Sequence, residues 1–142
     1  MQKLHKTKVI YRIIDANLNR AKEGLRVCEE IARFILNERS LTANLKNLRH
    51  KLDSARKNLP GQKALLKERQ SATDVGRLIY VNELKRNGVS DIFFANIQRV
   101  KESVRVLEEF SKLINKKAAI DFKNIRYRVY EAEKKAIPWA RE

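Results

Sequence analysis

Three residue types recur at fixed spacing in two places along this chain: Asn17, Arg20 and Glu23, then Asn96, Arg99 and Glu102. Arginine grips a phosphate through two parallel hydrogen bonds, and a carboxylate can hold a divalent cation that the same phosphate binds. Between the two sets, Arg69 and Asp74-Val75-Gly76 place a cation, a carboxylate and a flexible glycine within a few residues. These are the parts of a phosphate and magnesium site, although as a bare pattern they are weak. No glycine-rich Walker loop, dinucleotide fingerprint, cysteine pair or His-Glu-x-x-His accompanies them, so nucleotide chemistry here would proceed without the familiar loops.

The elements that must position these residues follow from an internal repeat. Residues 16–35 are identical to residues 95–114 at half of their twenty positions, and most of the rest exchange apolar for apolar. The match resumes where Leu45-Lys-Asn-Leu-Arg-His-Lys-Leu aligns with Phe122-Lys-Asn-Ile-Arg-Tyr-Arg-Val. The repeated unit is therefore helix, turn, helix. In the first copy Ile13, Ile14, Leu18, Ala21, Leu25, Cys28, Ile31, Ala32 and Ile35 recur every three or four residues, which predicts a long amphipathic helix over 11–36. Ser40 is the expected N-cap of a second helix ended by Pro60-Gly61. A short helix is expected over 62–69, and the helical period then fails until about residue 89, around a brief Leu78-Ile79-Tyr80-Val81 run. Ser90-Asp91 is expected to cap the second copy of the long helix, and a last helix runs over 119–137, before Pro138. The fold expected is all-α: a single domain over 1–142, with pseudo-symmetric hairpins at about 11–60 and 90–138 joined by a short helix and an irregular segment at 61–89.

The bulk composition agrees. At 142 residues, 43% hydrophobic and 35% charged, with only four glycines and two prolines, the chain suits a soluble helical body and not a disordered one. The single Cys28 allows no intramolecular disulfide, and the N-terminus shows no apolar stretch of signal-peptide length, so a cytoplasmic setting is expected. A net charge of +15 calls for anionic partners, whether nucleic acid, acidic protein or phosphorylated small molecules, and charge alone does not choose among them.

Some polar residues fall on the wrong face. At about 100° per residue, Asp15, Asn19, Glu23, Arg26, Glu30 and Arg33 share one polar face, whereas Asn17, Arg20 and Gly24 fall inside the apolar arc. Asn96, Arg99 and Ser103 repeat the anomaly. Polar groups in such places need polar partners or a cleft. Two readings stay open: Arg20, Glu23, Arg99 and Glu102 bridge the helices as a structural network, or they converge as a ligand site where the two copies meet. The many arginines, among them Arg12, Arg26, Arg33, Arg49, Arg105 and Arg126, weigh toward the ligand site. His50, beside Arg49, reads as a packed or capping group before it reads as a catalyst.

The stretch Arg12-Ile-Ile-Asp-Ala-Asn-Leu-Asn-Arg-Ala-Lys-Glu-Gly-Leu-Arg-Val, with Glu30-Ile-Ala-Arg-Phe, Leu48-Arg-His, Arg69, Asp74-Val-Gly and the second helix bearing Asn96, Arg99, Glu102, Arg105 and Glu108-Glu109, resembles the small helical domain often fused ahead of bacterial thiamine-phosphate synthase. That domain is regarded as an alternative hydroxymethylpyrimidine-phosphate kinase, and the resemblance covers nearly the whole chain. The barrel-shaped synthase is absent from this sequence, which implies a stand-alone version or an excised domain. The resemblance implies phosphoryl transfer from ATP to hydroxymethylpyrimidine phosphate, with Arg20 and Arg99 as clamps, Asp74 or Glu23 holding Mg2+, and Asn17, Arg26, Arg49, His50, Arg69, Asn96, Glu102 and Arg105 binding substrate. Residues 70–89 would close over the site. One departure is Gln70, where the family commonly has an acidic residue. The partners expected are a phosphorylated pyrimidine, a nucleotide, thiamine-phosphate synthase and a second copy of the chain, with no membrane. The competing readings are a basic helical module that binds nucleic acid, the less favoured because the positive residues are spread over several helices, and a non-enzymatic domain that docks onto the synthase.

Overall fold

The computed structural model describes residues 2–77 and 84–140. The expected run Leu78-Ile79-Tyr80-Val81 lies outside the described residues. Among those described there is no strand. The elements are α1 (Gln2–Glu30), continued by a π-helical turn (Ile31–Ile35); α2 (Arg39–Arg56); α3 (Gln62–Lys67); a 3-10 turn (Ser71–Thr73); α4 (Val89–Ser111); and α5 (Lys116–Ala140). The all-α expectation holds, and no described helix is long and apolar enough to cross a membrane.

The four long helices pack in a ring: α1 on α2 and α4, α5 on α2 and α4, with α3 against α1. Their apolar stripes meet in one core, where Ile14, Leu25, Cys28, Leu45, Leu52, Phe93, Ile97, Leu107, Phe122 and Val129 are fully buried. Burial pushes the Cys28 thiol up to about 12, so it stays protonated and inert, and Cys28 Sγ lies 3.5 Å from the Phe93 carbonyl oxygen of α4.

α1 and α4 pack tightly against each other at Gly24. A Cβ built there would stand 2.7 Å from Val100 Cγ2 and 3.1 Å from the Asn96 carbonyl oxygen, so the space belongs to α4.

Each hairpin is tied by a buried carboxylate. Glu29 of α1 accepts hydrogen bonds from Arg26, one turn before it, and from Arg49 of α2, both at 3.1 Å. Glu108 of α4 repeats this with Arg105 at 2.9 Å and Arg126 of α5 at 3.1 Å. The two carboxylate side chains are 3% and 5% exposed, so each depends on its arginines for compensation. Lys22 to Asp53 and Lys101 to Glu133, each 2.8 Å, add a second link to each hairpin. Helix-bridging networks therefore exist, but Arg20, Glu23, Arg99 and Glu102 form none of these ion pairs.

Several helix ends differ from expectation for identifiable reasons. The π turn closes with a bond from the Leu36 N–H to the Ile31 carbonyl, and Asn37 then adopts φ 54, the left-handed region that asparagine tolerates. This reversal places Glu38, not Ser40, at the N-cap of α2, where its carbonyl accepts the Thr42 N–H and hydroxyl. Gly88 takes the N-cap of α4, and Asp91 reaches back to accept the Asn87 N–H at 3.0 Å. Asn115 starts α5 earlier than expected by accepting the Ala118 N–H at 3.0 Å. At its other end α5 runs past Pro138, which sits in the last turn of the helix.

Two stability outcomes follow. Gly24→Ala gains helix propensity but overpacks the α1/α4 seam, for a net loss of about 1–2 kcal/mol in urea unfolding, with Val100→Ala restoring part of it. Arg126→Ala leaves Glu108 with the exposed Arg105 alone and costs about 2 kcal/mol, more than Arg49→Ala, which removes a single bond to Glu29.

Candidate functional site

The helical period of α1 sets its buried stripe against the core and leaves one polar strip uncovered by α4. Along that strip lies a cleft of about 590 Å3, walled on one side by Arg12, Asp15, Asn17, Asn19, Arg20 and Glu23 of α1. Arg69, Gln70, Ser71 and Asp74, which follow α3, make the other side. A volume of this size suits a small-molecule ligand.

One bidentate ion pair joins the two walls. Arg69 donates from Nε to Asp15 Oδ2 at 2.8 Å and from a terminal nitrogen to Asp15 Oδ1 at 2.9 Å. The hydrogen bond to Asp15 is the main reason the Arg69 guanidinium is held above its ordinary range, and attraction from Asp15 and Glu23 reinforces it. Asp15 is thus buried and paired, not part of a solvated polar face. Asn17, also buried, donates its side-chain N–H to the Ile13 carbonyl at 2.8 Å and is among the residues lining the cleft.

Arg12 and Arg20 form no ion pair among the described residues. Arg20 is exposed, because only the neighbouring positions Asn17 and Gly24 are covered by packing while its own position borders the cleft. Asp74 is exposed as well. Its carboxylate Oδ1 accepts the Gly76 N–H at 2.8 Å, and its carbonyl accepts the Arg77 N–H at 3.1 Å, so the expected Asp74-Val75-Gly76 turn is real. Among the described residues no group of three His, Cys, Asp or Glu side chains is placed to hold a metal ion by itself. Magnesium fits here only as it often binds, through one or two carboxylates together with a ligand's phosphates.

The structure gathers Asn17, Arg20, Glu23, Arg69 and Asp74 into this cleft and sends the other candidates elsewhere. Arg26 and Arg49 hold Glu29, and Arg105 holds Glu108. His50 lies exposed on α2 and Arg99 exposed on α4, while Asn96 repeats the Asn17 pattern with a 2.8 Å bond to the Ile92 carbonyl. Glu102 and Arg105 border a separate shallow depression with Lys101 and Tyr130. The expectation of a cleft built where both copies converge is therefore not met here: one copy and the post-α3 segment line it. Sequence reasoning did not single out Asp15, and it counted Arg12 without giving it a role. The repeat held the signal, since the positions matching Arg12 and Asp15 are Asp91 and Phe94, the places where the two copies differ most in chemistry.

Fold and cleft together define an all-helical domain with a polar, arginine-bearing cleft along its first helix. More particularly, the chain belongs to the ThiD2 family, which it matches over residues 12–135. It is 42% identical over 133 residues to thiamine-phosphate synthase of Nostoc punctiforme, covering 93% of this chain and 36% of the relative. It is 43% identical over 125 residues to thiamine-phosphate synthase of Synechocystis sp., covering 87% and 35%. With thiamine-phosphate synthase of Rhodopirellula baltica it shares 39% identity over 125 residues, covering 87% and 33%. The chain thus spans about a third of the length of these relatives. No solved structure matches it.

These names correct one expectation. The relatives are enzymes named for thiamine-phosphate synthesis, not for phosphorylating a pyrimidine phosphate, so the family implied by the resemblance stands and the hydroxymethylpyrimidine-phosphate kinase activity does not. ATP entered only as that reaction's phosphoryl donor.

The Asp15–Arg69 pair predicts a local effect. Asp15→Asn removes a charge-assisted bidentate contact, and trypsin should cleave after Lys67 and Arg69 about tenfold faster while the urea midpoint moves little.

Proposed function

We propose that this chain serves thiamine-phosphate synthesis as a helical binding domain, holding a phosphorylated pyrimidine in the α1 cleft and docking onto a thiamine-phosphate synthase in the cytoplasm. The observation that carries the reading is the pair of arginines, Arg12 and Arg20, that line the cleft without a carboxylate partner among the described residues, beside an Arg69 fixed by Asp15. Most other arginines singled out from the sequence are committed within the hairpins, which makes this local surplus specific. Membership of the ThiD2 family and similarity to proteins named thiamine-phosphate synthase support the choice of ligand class and partner.

In this reading the cleft separates two tasks. Arg20 and Arg12 take the ligand's phosphate through charge-assisted hydrogen bonds. Glu23 and Asp74 take a magnesium ion that arrives on that phosphate, leaving them neutralised beside the bound anion. Asn17 presents a neutral acceptor to the pyrimidine's polar edge. Because the phosphate is held and not attacked, the domain needs no nucleophile, in keeping with the inert Cys28 and the exposed His50.

Calorimetric titration of hydroxymethylpyrimidine phosphate with magnesium chloride tests this. Arg20→Ala should weaken binding about 10- to 100-fold, the loss expected for charged hydrogen bonds, whereas Arg49→Ala should leave affinity unchanged. Absence of saturable binding, or equal losses in both variants, would overturn the reading.

A further inference from the structure

A second cavity, sharing no residue with the α1 cleft, lies between α2 and α5 and measures about 650 Å3. Its floor includes Ala55 and Ile125, both buried, and its walls carry Lys51 and Ser54 from α2 and Asn124, Tyr127 and Arg128 from α5. Lys51 and Arg128 occupy matching positions in the aligned second helices of the repeat. Packing α2 on α5 therefore brings two copies of one cationic position to the same cavity.

No carboxylate neutralises them. Asp121, the acidic residue of the lining, already accepts from Asn58 at 3.2 Å and from Lys117 at 3.5 Å. Glu131 borders the adjoining depression with Arg128 but makes no ion pair with it. Like charges gathered without a partner raise the local potential, and a bound anion would relieve it. At the rim Tyr127 is half-exposed yet held from two sides, edge-on to Tyr130 at 5.8 Å and with the Arg126 guanidinium 5.1 Å from its ring centre.

We propose that this seam cavity is a second ligand site, for a phosphomonoester carried on a planar heteroaromatic group such as a nucleoside monophosphate. Lys51 and Arg128 take the phosphate, Ser54 and Asn124 supply neutral hydrogen bonds, and Tyr127 packs against the ring. The concave shape and apolar floor favour a small ligand over a polymer laid along a flat basic face. The site does not depend on what the α1 cleft binds.

The test is an NMR titration of the full chain with AMP, and separately with inorganic phosphate, at about 0.15 M ionic strength. Saturable AMP shifts should centre on Lys51, Asn124 and Arg128. The pair of substitutions Lys51→Ala and Arg128→Ala should weaken AMP at least about tenfold, while Tyr127→Ala should weaken AMP about fivefold and leave inorganic phosphate unchanged. Arg20→Ala, in the other cleft, should not alter the seam titration, which keeps the two sites distinguishable. Absence of saturable AMP binding overturns the proposal, as does equal affinity in a folded Lys51→Ala/Arg128→Ala variant. Binding of a single-stranded oligonucleotide that is lost in that variant, with no AMP binding, also overturns it and makes the seam a polyanion face.

Discussion

Two buried carboxylates, Glu29 and Glu108, decide how the positive charge of this chain is used. Each would be very costly alone in the interior, and each is compensated by one arginine on its own helix and one on the partner helix of its hairpin. The same contact therefore fixes hairpin register and withdraws four arginines, Arg26, Arg49, Arg105 and Arg126, from duty toward ligands. A net charge of +15 would otherwise read as one diffuse basic surface. With these residues accounted for, the unpaired cations of the two cavities are Arg12 and Arg20 in the α1 cleft and Lys51 and Arg128 in the seam between α2 and α5.

The duplication sets this division of labour. What is alike in the two copies is structural: the asparagine bonds to the preceding turn, the glutamate and arginine clamps, the lysine links across each hairpin. What differs is where the α1 cleft forms. Asp15 faces Arg69 in the first copy, whereas the matching Phe94 packs edge-on against Phe93 at 5.2 Å in the second. A repeated helix thus carries a polar wall in one copy and extra core in the other. Gly24 completes the asymmetry, since the close α1/α4 approach uses its missing side chain while Ser103 occupies the matching position.

Much of the fold was legible because periodicity survives tertiary packing: the long helices and the core stripe follow directly from spacings of three and four. The ends were less legible, since Asn37 reverses the chain before Ser40 could cap, and Asn115 captures α5 a turn early. The cleft was half legible. Asn17 and Arg20 were identifiable as polar groups out of place, Glu23 by its recurrence in the repeat, and Arg69 and Asp74 as a cation and a carboxylate in the irregular segment, but the helical angle alone could not tell a position covered by packing from one bordering open space. It placed Arg20 inside and Asp15 outside, and packing reversed both. Nor could spacing reveal that Arg26, Arg49 and Arg105 would turn toward buried glutamates, because that depends on a partner helix many residues away.

The most direct test of the account is chemical-shift mapping of the isotopically labelled chain with hydroxymethylpyrimidine phosphate and magnesium. The account predicts saturable shifts at the backbone amides of Asn17, Arg20, Glu23 and the segment 69–74, with Arg49, Arg105 and Arg126 unmoved. Shifts centred on Arg49, Arg105 and Arg126, or none at saturating ligand, would contradict it.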